Sequence, residues 1–200
     1  MGSFDNRFRR KWQDYGGAHA TEAEHSFIEV FSKVFEDSDY EVISQPKDFK
    51  KLYVDVDLPQ EELNAIYTPN DRITTHGIQP DGAIRNKRTG KTIYIEIKRQ
   101  DGWVEGKNRS AGRGNAHERL CKYFTPGLLR KLREVGHIAA PNLPFWIVFQ
   151  GDITRDPCRV REITYWFADF KANYFFWRNT KQPDDLLKHF ETYIVPLLED

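Results

Sequence analysis

Sulfur is scarce in this chain: two cysteines, Cys121 and Cys158, and a single methionine among 200 residues. One cysteine pair with no second pair at metal-ligand spacing excludes a disulfide scaffold, argues against a structural zinc and points to a reducing compartment. Long apolar runs are missing too. Nothing approaches the roughly eighteen consecutive apolar residues of a membrane helix, and no basic start precedes an apolar stretch. Neither a signal peptide nor a membrane span is therefore expected. There is no low-complexity tract and no internal repeat. Net charge is absent as well, since 30 Lys and Arg balance 30 Asp and Glu. Taken alone, that balance argues against a polyanion partner.

The distribution of charge argues the other way. Residues 98–133 hold ten Lys or Arg against three Asp or Glu, so the rest of the chain is acidic by the same excess. Such a dipole suits a protein that meets phosphate on one side only, although a plain solvated basic face would look the same. At 39% hydrophobic and 14% aromatic the chain can bury a core, and its length suits one domain spanning residues 1–200.

Residues 1–20 are polar and basic with Gly16 and Gly17, and read as a loosely held N-terminus. Phe27, Val30, Phe31, Val34 and Phe35 follow the helical period, predicting an amphipathic helix from about Glu22 to Glu36. A second helix is predicted over Leu58–Tyr67, with Pro59 near its first turn and Pro69 closing it. A hairpin follows over residues 80–99. Pro126–Val135 reads as a helix stopped by Gly136, and the apolar run of residues 143–153 as a central strand. Residues 160–178 are helical or mixed, with no boundary that periodicity fixes. Asp184–Leu198 reads as a C-terminal helix interrupted late by Pro196. The fold class is α/β: a mixed central β-sheet flanked by helices.

The hairpin carries the first chemical signal. With Lys87-Arg88-Thr89-Gly90 as a four-residue turn, Ile84 opposes Ile93 and Asp81 opposes Glu96. Opposed residues share a face and the side-chain period is two. Ile84, Ile93, Ile95 and Ile97 then point into a core, while Asp81, Glu96 and Lys98 point together the other way. A slip of one residue would bury Glu96 and Lys98, so the register is well specified. Two opposed acids repel unless something compensates, and Mg²⁺ is commonly held by one or two carboxylates with several waters. A lysine two residues along adds positive charge where an attacking water or phosphate oxygen would sit. That set suits phosphodiester hydrolysis. The competing reading is a surface Glu96–Lys98 pair on an edge strand, with Asp81 in an Asx turn after Pro80.

The next stretch, residues 101–114, has Gly102, Gly106, Gly112 and Gly114 among basic side chains and reads as a flexible, positively charged arm. Gly114 ends it and a helix is predicted to begin at Asn115. Asn115 with Glu118 forms a candidate capping box. Arg113 and Arg119 fall outside that explanation. They can converge with Asn115 at the helix start, and Arg and Asn match guanine and adenine edges in the major groove. Base reading and plain capping both remain open on these residues. His117 reads as a packing residue or a phosphate contact.

Pro80-Asp81 followed by Glu96-Ile97-Lys98 resembles the PD-(D/E)XK nuclease pattern, and "GRGNAHER" resembles the Gly-Asn-Ala-x-Glu-Arg segment of the EcoRI/MunI group of type II restriction endonucleases. The likeness is strongest from Gly77 to Trp166 and is looser toward the N-terminus. It implies a homodimer acting on double-stranded DNA in the bacterial cytoplasm, paired with a cognate DNA methyltransferase. It implies Mg²⁺-dependent cutting of both strands, leaving 5′-phosphates on four-base AATT overhangs. Asp81, Glu96 and the Ile97 carbonyl would hold the metal, and Lys98 would orient the nucleophilic water. Arg113, Gly114, Asn115, Ala116, His117, Glu118 and Arg119 would form the DNA-binding segment. Within it Asn115, Ala116 and Arg119 would read AATT, and Glu118 would hold the arginines in place. Arg113 occupies a position that is small in the EcoRI pattern, which favours C^AATTG over GAATTC. A repressor-like DNA-binding protein without catalysis is the reading from a different class, and it would have no use for opposed carboxylates. A structure-specific nuclease of the same fold is a third, disfavoured by the base-reading residues.

Overall fold

The computed structural model describes residues 27–100, 104–107 and 117–199. The N-terminal stretch 1–20, the predicted start of the first helix at 22–26 and most of the 101–114 arm lie outside the described residues.

Five strands form one mixed sheet in sequential order. Strands β1 (Tyr40–Ser44), β2 (Gly82–Asn86) and β3 (Thr92–Arg99) are antiparallel neighbours. Strand β4 (Phe145–Gln150) runs parallel to β3, and β5 (Tyr174–Trp177) runs parallel to β4. Parallel pairing requires long crossovers, and these carry the helices. Between β3 and β4 lie a 3₁₀ helix, Glu118–Phe124, and a helix, Pro126–Gly136. Between β4 and β5 lies Pro157–Phe167. In chain order the helices are α1 (Phe27–Val34), α2 (Gln60–Ala65), α3 (Pro126–Gly136), α4 (Pro157–Phe167), α5 (Asp184–His189) and α6 (Val195–Glu199).

Both faces of the sheet are covered. On one, Ile84, Ile93, Ile95, Trp146, Val148 and Trp177 pack against α1 and the C-terminal helices. The Phe27 and Phe31 rings meet Trp146 edge-on at 5.4 and 6.0 Å, which is why the apolar stripe of α1 is spaced as it is. Each such fully buried phenylalanine contributes about 1.5–3 kcal/mol. On the other face, Ala83, Tyr94, Phe145, Ile147 and Phe149 pack under the 3₁₀ helix, α3 and α4. Burial on both faces explains the continuous apolar run of β4, all six residues of which are buried.

Several boundaries differ from expectation for local reasons. Helix α2 is shorter than Leu58–Tyr67 and buries no residue, so nothing packs against it to extend it. Helix α3 runs through Gly136, and the left-handed residue that ends it is His137 at φ 54°. Gly136 serves close approach instead: a Cβ there would stand 2.5 Å from the Thr92 carbonyl oxygen of β3. The undecided stretch 160–178 resolves into the end of α4, a short turn and β5. Pro196 does not break the C-terminal helix. It sits inside α6, and the irregularity falls just before it, as a π-helical segment at Phe190–Ile194. A proline in a helix removes an N–H and crowds the carbonyl four residues back; the wider turn accommodates both.

Candidate active site and reader segment

Strand β3 is the middle strand of five, so Glu96 and Lys98 do not sit on an edge. The β2–β3 ladder pairs Ile84 with Ile93, Ala83 with Tyr94 and Gly82 with Ile95, as the four-residue turn predicts. One further step along that ladder brings Asp81, just before β2, opposite Glu96. The alternation holds: Ile84, Ile93 and Ile95 enter one core, with Ile97 packed at its margin. Asp81, Glu96 and Lys98 belong to the opposite face.

The carboxylate of Asp81 does not close an Asx turn. Its Oδ2 accepts the Ile97 N–H at 2.7 Å, crossing to β3. Its carboxyl is raised above the usual carboxylate range, first because neighbouring protein displaces water from it, although one edge of the residue stays open to solvent. The Ile97 amide opposes that rise, and the negative charge of Glu96 adds to it. Glu96 is 5% exposed. Its Oε1 pairs with the Lys98 ammonium, and its Oε2 accepts the Tyr123 hydroxyl at 2.6 Å. Burial, then the Glu96 charge, pushes the Tyr123 phenol far up, so it stays a neutral donor.

No group of three or more His, Cys, Asp or Glu is set to hold a metal among the described residues. What is present is a pair of carboxylates, one just before β2 and one on β3, with a backbone carbonyl at Ile97 between Glu96 and Lys98. Hard oxygen donors in that number suit Mg²⁺, which keeps much of its water, better than Zn²⁺ or a fully caged Ca²⁺. The repulsion that Glu96 exerts on Asp81 is the kind a dication relieves.

Of the predicted DNA-binding residues, Arg113, Gly114, Asn115 and Ala116 lie outside the described residues. Glu118 and Arg119 are exposed at the start of a helix, which is 3₁₀ in character and runs over Glu118–Phe124. His117 is fully buried. Its ring stacks on Trp166 with centroids 5.2 Å apart and planes 11° from parallel. Its Nε2 lies 3.0 Å from Glu162 Oε2, and Arg159 holds the same oxygen at 2.7 Å. The hydrogen bond from Arg159 lowers the Glu162 carboxyl, so Glu162 is an ionised acceptor and His117 Nε2–H donates. Burial, followed by the Arg159 charge, lowers the His117 pKa.

Helix α4 also holds the near end of the arm. Asp156 caps it, Oδ1 accepting from the amides of Cys158 and Arg159 at 2.9 and 3.2 Å. Asp156 Oδ2 accepts the Glu105 N–H at 3.2 Å, and Val104 beside it is buried. One helix thus grips the chain on both sides of residues 108–116. The Asp156-Pro157 pair is a readable helix start. Tyr123, Glu162 and Trp166 carry no such signal and were not anticipated from the sequence.

A mixed sheet with an acid at the foot of one strand and Glu-x-Lys on the antiparallel central neighbour is the frame of a PD-(D/E)XK restriction endonuclease. Residues 1–199 match a family model described as Type II restriction enzyme MunI. The chain is 48% identical over 202 residues to the Type II restriction enzyme MunI of a Mycoplasma species, with all of both chains covered. It also resembles the crystal structure of MunI restriction endonuclease in complex with cognate DNA, at a TM-score of 0.86 and 44% identity. That match covers 98% of this chain and 100% of the other. This chain belongs to the MunI family of type II restriction enzymes, which cleave DNA in a sequence-specific manner.

Proposed function

We propose that this protein is a Mg²⁺-dependent homodimeric endonuclease that cuts double-stranded DNA at C^AATTG, leaving 5′-phosphates and four-base 5′ overhangs. The observation that carries the reading is the hairpin register, which puts Asp81, Glu96 and Lys98 on one face of the sheet. Asp81, Glu96 and the Ile97 carbonyl would hold the ion. Bound there, Mg²⁺ supplies a Lewis acid and lowers the pKa of coordinated water. Lys98 orients the attacking water and offsets the charge gained as water adds to phosphorus. The bond from phosphorus to the 3′ oxygen breaks, the 3′ oxygen takes a proton, and phosphate stays on the 5′ end. Asp81 is itself fixed by the Ile97 amide, so the strand that carries Lys98 also sets the first carboxylate.

Specificity lies in the segment from Arg113 to Arg119. Arg113 reads the guanine of the outer pair, Asn115, Ala116 and Arg119 read AATT, and Glu118 steadies the arginines. Gly114 lets the backbone approach the DNA, and His117 anchors the segment to α4 through Glu162 and Trp166. A palindrome calls for a two-fold symmetric reader, hence the homodimer. Because the same site occurs in the host genome, a methyltransferase that protects it is the functional partner, and both work in the bacterial cytoplasm. Among the described residues no helix is long and apolar enough to cross a membrane.

The test is a digest of one sequenced plasmid in Mg²⁺ and in EDTA, with sequencing of the fragment ends. Discrete fragments ending in 5′-AATT within CAATTG, made only with the metal, are expected. Ends within GAATTC would overturn the role of Arg113, and an intact plasmid would overturn the nuclease reading.

A further inference from the structure

The Tyr123 hydroxyl meets the buried oxygen of Glu96 at 2.6 Å while the other oxygen of the same carboxylate pairs with Lys98. The two residues are 27 positions apart in the chain, so the contact is made by tertiary packing alone. Tyr123 is 1% exposed and its ring packs on Phe145 of β4, centroids 5.3 Å apart. With the ring held there, the hydroxyl has little freedom to seek another partner. A phenol hydroxyl facing a carboxylate oxygen at this distance is the donor of the pair. Glu96 is acceptor-only when ionised, so the bond locks one rotamer of the carboxylate and leaves Oε1 to the Lys98 ammonium.

We propose that Tyr123 is a positioning residue for Glu96: it fixes the carboxylate in the orientation that binds the catalytic dication. The proposal rests on the nuclease reading above and deepens it. Partners of ligating carboxylates typically account for 10–100-fold in metal affinity or activity, which sets the size of effect expected. Tyr123 lies in the last turn of the short helix Glu118–Phe124, so the element that bears Arg119 also steadies a metal ligand.

The experiment compares the parent protein with Tyr123→Phe, which removes one oxygen and keeps the ring in its packing site. Mn²⁺ binding to the DNA-free protein is followed by electron paramagnetic resonance of the free ion, and single-turnover plasmid cleavage is measured across a Mg²⁺ series. Tyr123→Phe is expected to weaken Mn²⁺ binding about 10-fold or more and to shift the Mg²⁺ midpoint for cleavage upward by a similar factor. Much of the rate should return at saturating Mg²⁺, when the ion itself orders Glu96. Phe190→Leu loosens the core on the opposite face of the sheet and leaves the Tyr123 ring and hydroxyl in their packing site. It should lower the melting temperature in EDTA and leave both midpoints within about 3-fold of the parent. Parent-like midpoints in Tyr123→Phe, or an equal shift in Phe190→Leu, would overturn the positioning role. Asp81→Ala is run alongside. If it still cuts, the assignment of the metal site to Asp81 and Glu96 fails; if it is inactive while Tyr123→Phe keeps parent midpoints, only the role of Tyr123 fails.

Discussion

The Asp81 carboxylate accepts the Ile97 amide across 2.7 Å, and this one bond ties the acid that precedes β2 to the strand that carries Glu96 and Lys98. It replaces the local turn that Pro80-Asp81 suggests by itself. The consequence is that both acids and the lysine are referenced to a single strand in the middle of the sheet.

Removing either charged end of this set should stop the chemistry and spare recognition. Asp81→Ala is expected to lower Mg²⁺-dependent cleavage by about 10³-fold or more, since a lost metal ligand removes several kcal/mol of transition-state stabilisation. Lys98→Ala should cost about 10²–10³-fold. Binding of the cognate duplex in Ca²⁺, measured by gel shift, should stay within a few-fold of the parent. Cleavage by Asp81→Ala within tenfold of the parent would refute the assignment.

Arg113→Ala should weaken discrimination at the outer base pair by about 1–3 kcal/mol and leave the inner four positions read as before. Competition between CAATTG and GAATTC duplexes measures this directly. An unchanged ratio would mean that another residue reads the outer pair.

Acid should destabilise the fold in part through His189. Its ring is stacked on Trp146, its Nε2–H donates to the Ala172 carbonyl at 3.0 Å, and burial lowers its pKa. A histidine whose folded pKa lies below its unfolded value of about 6.5 stabilises the protein above that pH, and the contribution is lost as pH falls through the folded value. His117 acts in the same direction. Melting temperatures of the parent and His189→Gln between pH 7.5 and 5 should show a shallower acid decline in the variant. Parallel curves would show that His189 does not contribute.

Gly136→Ala offers a test of packing with an unusual sign. In an open helix the change would stabilise by up to about 1 kcal/mol. Here the new methyl would stand 2.5 Å from the Thr92 carbonyl oxygen, so the substitution should cost about 1–3 kcal/mol instead. Urea unfolding reads the difference, and a gain in stability would show that α3 and β3 can separate without cost.

The hairpin register is legible in the sequence because turn length and side-chain period together admit one alignment that keeps isoleucines on one side and charges on the other. Helix α1 was legible for the same kind of reason, through Phe27, Val30, Phe31 and Val34 at helical spacing. Strand β1 was not anticipated. Its five residues are mostly half-buried and follow no clear alternation, so only pairing with β2 defines it. The switch at Phe190–Ile194 was equally hidden, because a proline in sequence marks a conflict without saying which turn absorbs it.

By itself the sequence determined which residues share a face of the hairpin, since that follows from covalent geometry over a few positions. It also supplied the proposed reader motif, whose residues are contiguous. Only the tertiary structure decided that Glu96 is enclosed, that Tyr123 holds it, and that His117 is clamped between Trp166 and Glu162. Those contacts join segments 27 to 49 residues apart, and such closures are set by how helices pack on the second face of the sheet, which no local periodicity encodes.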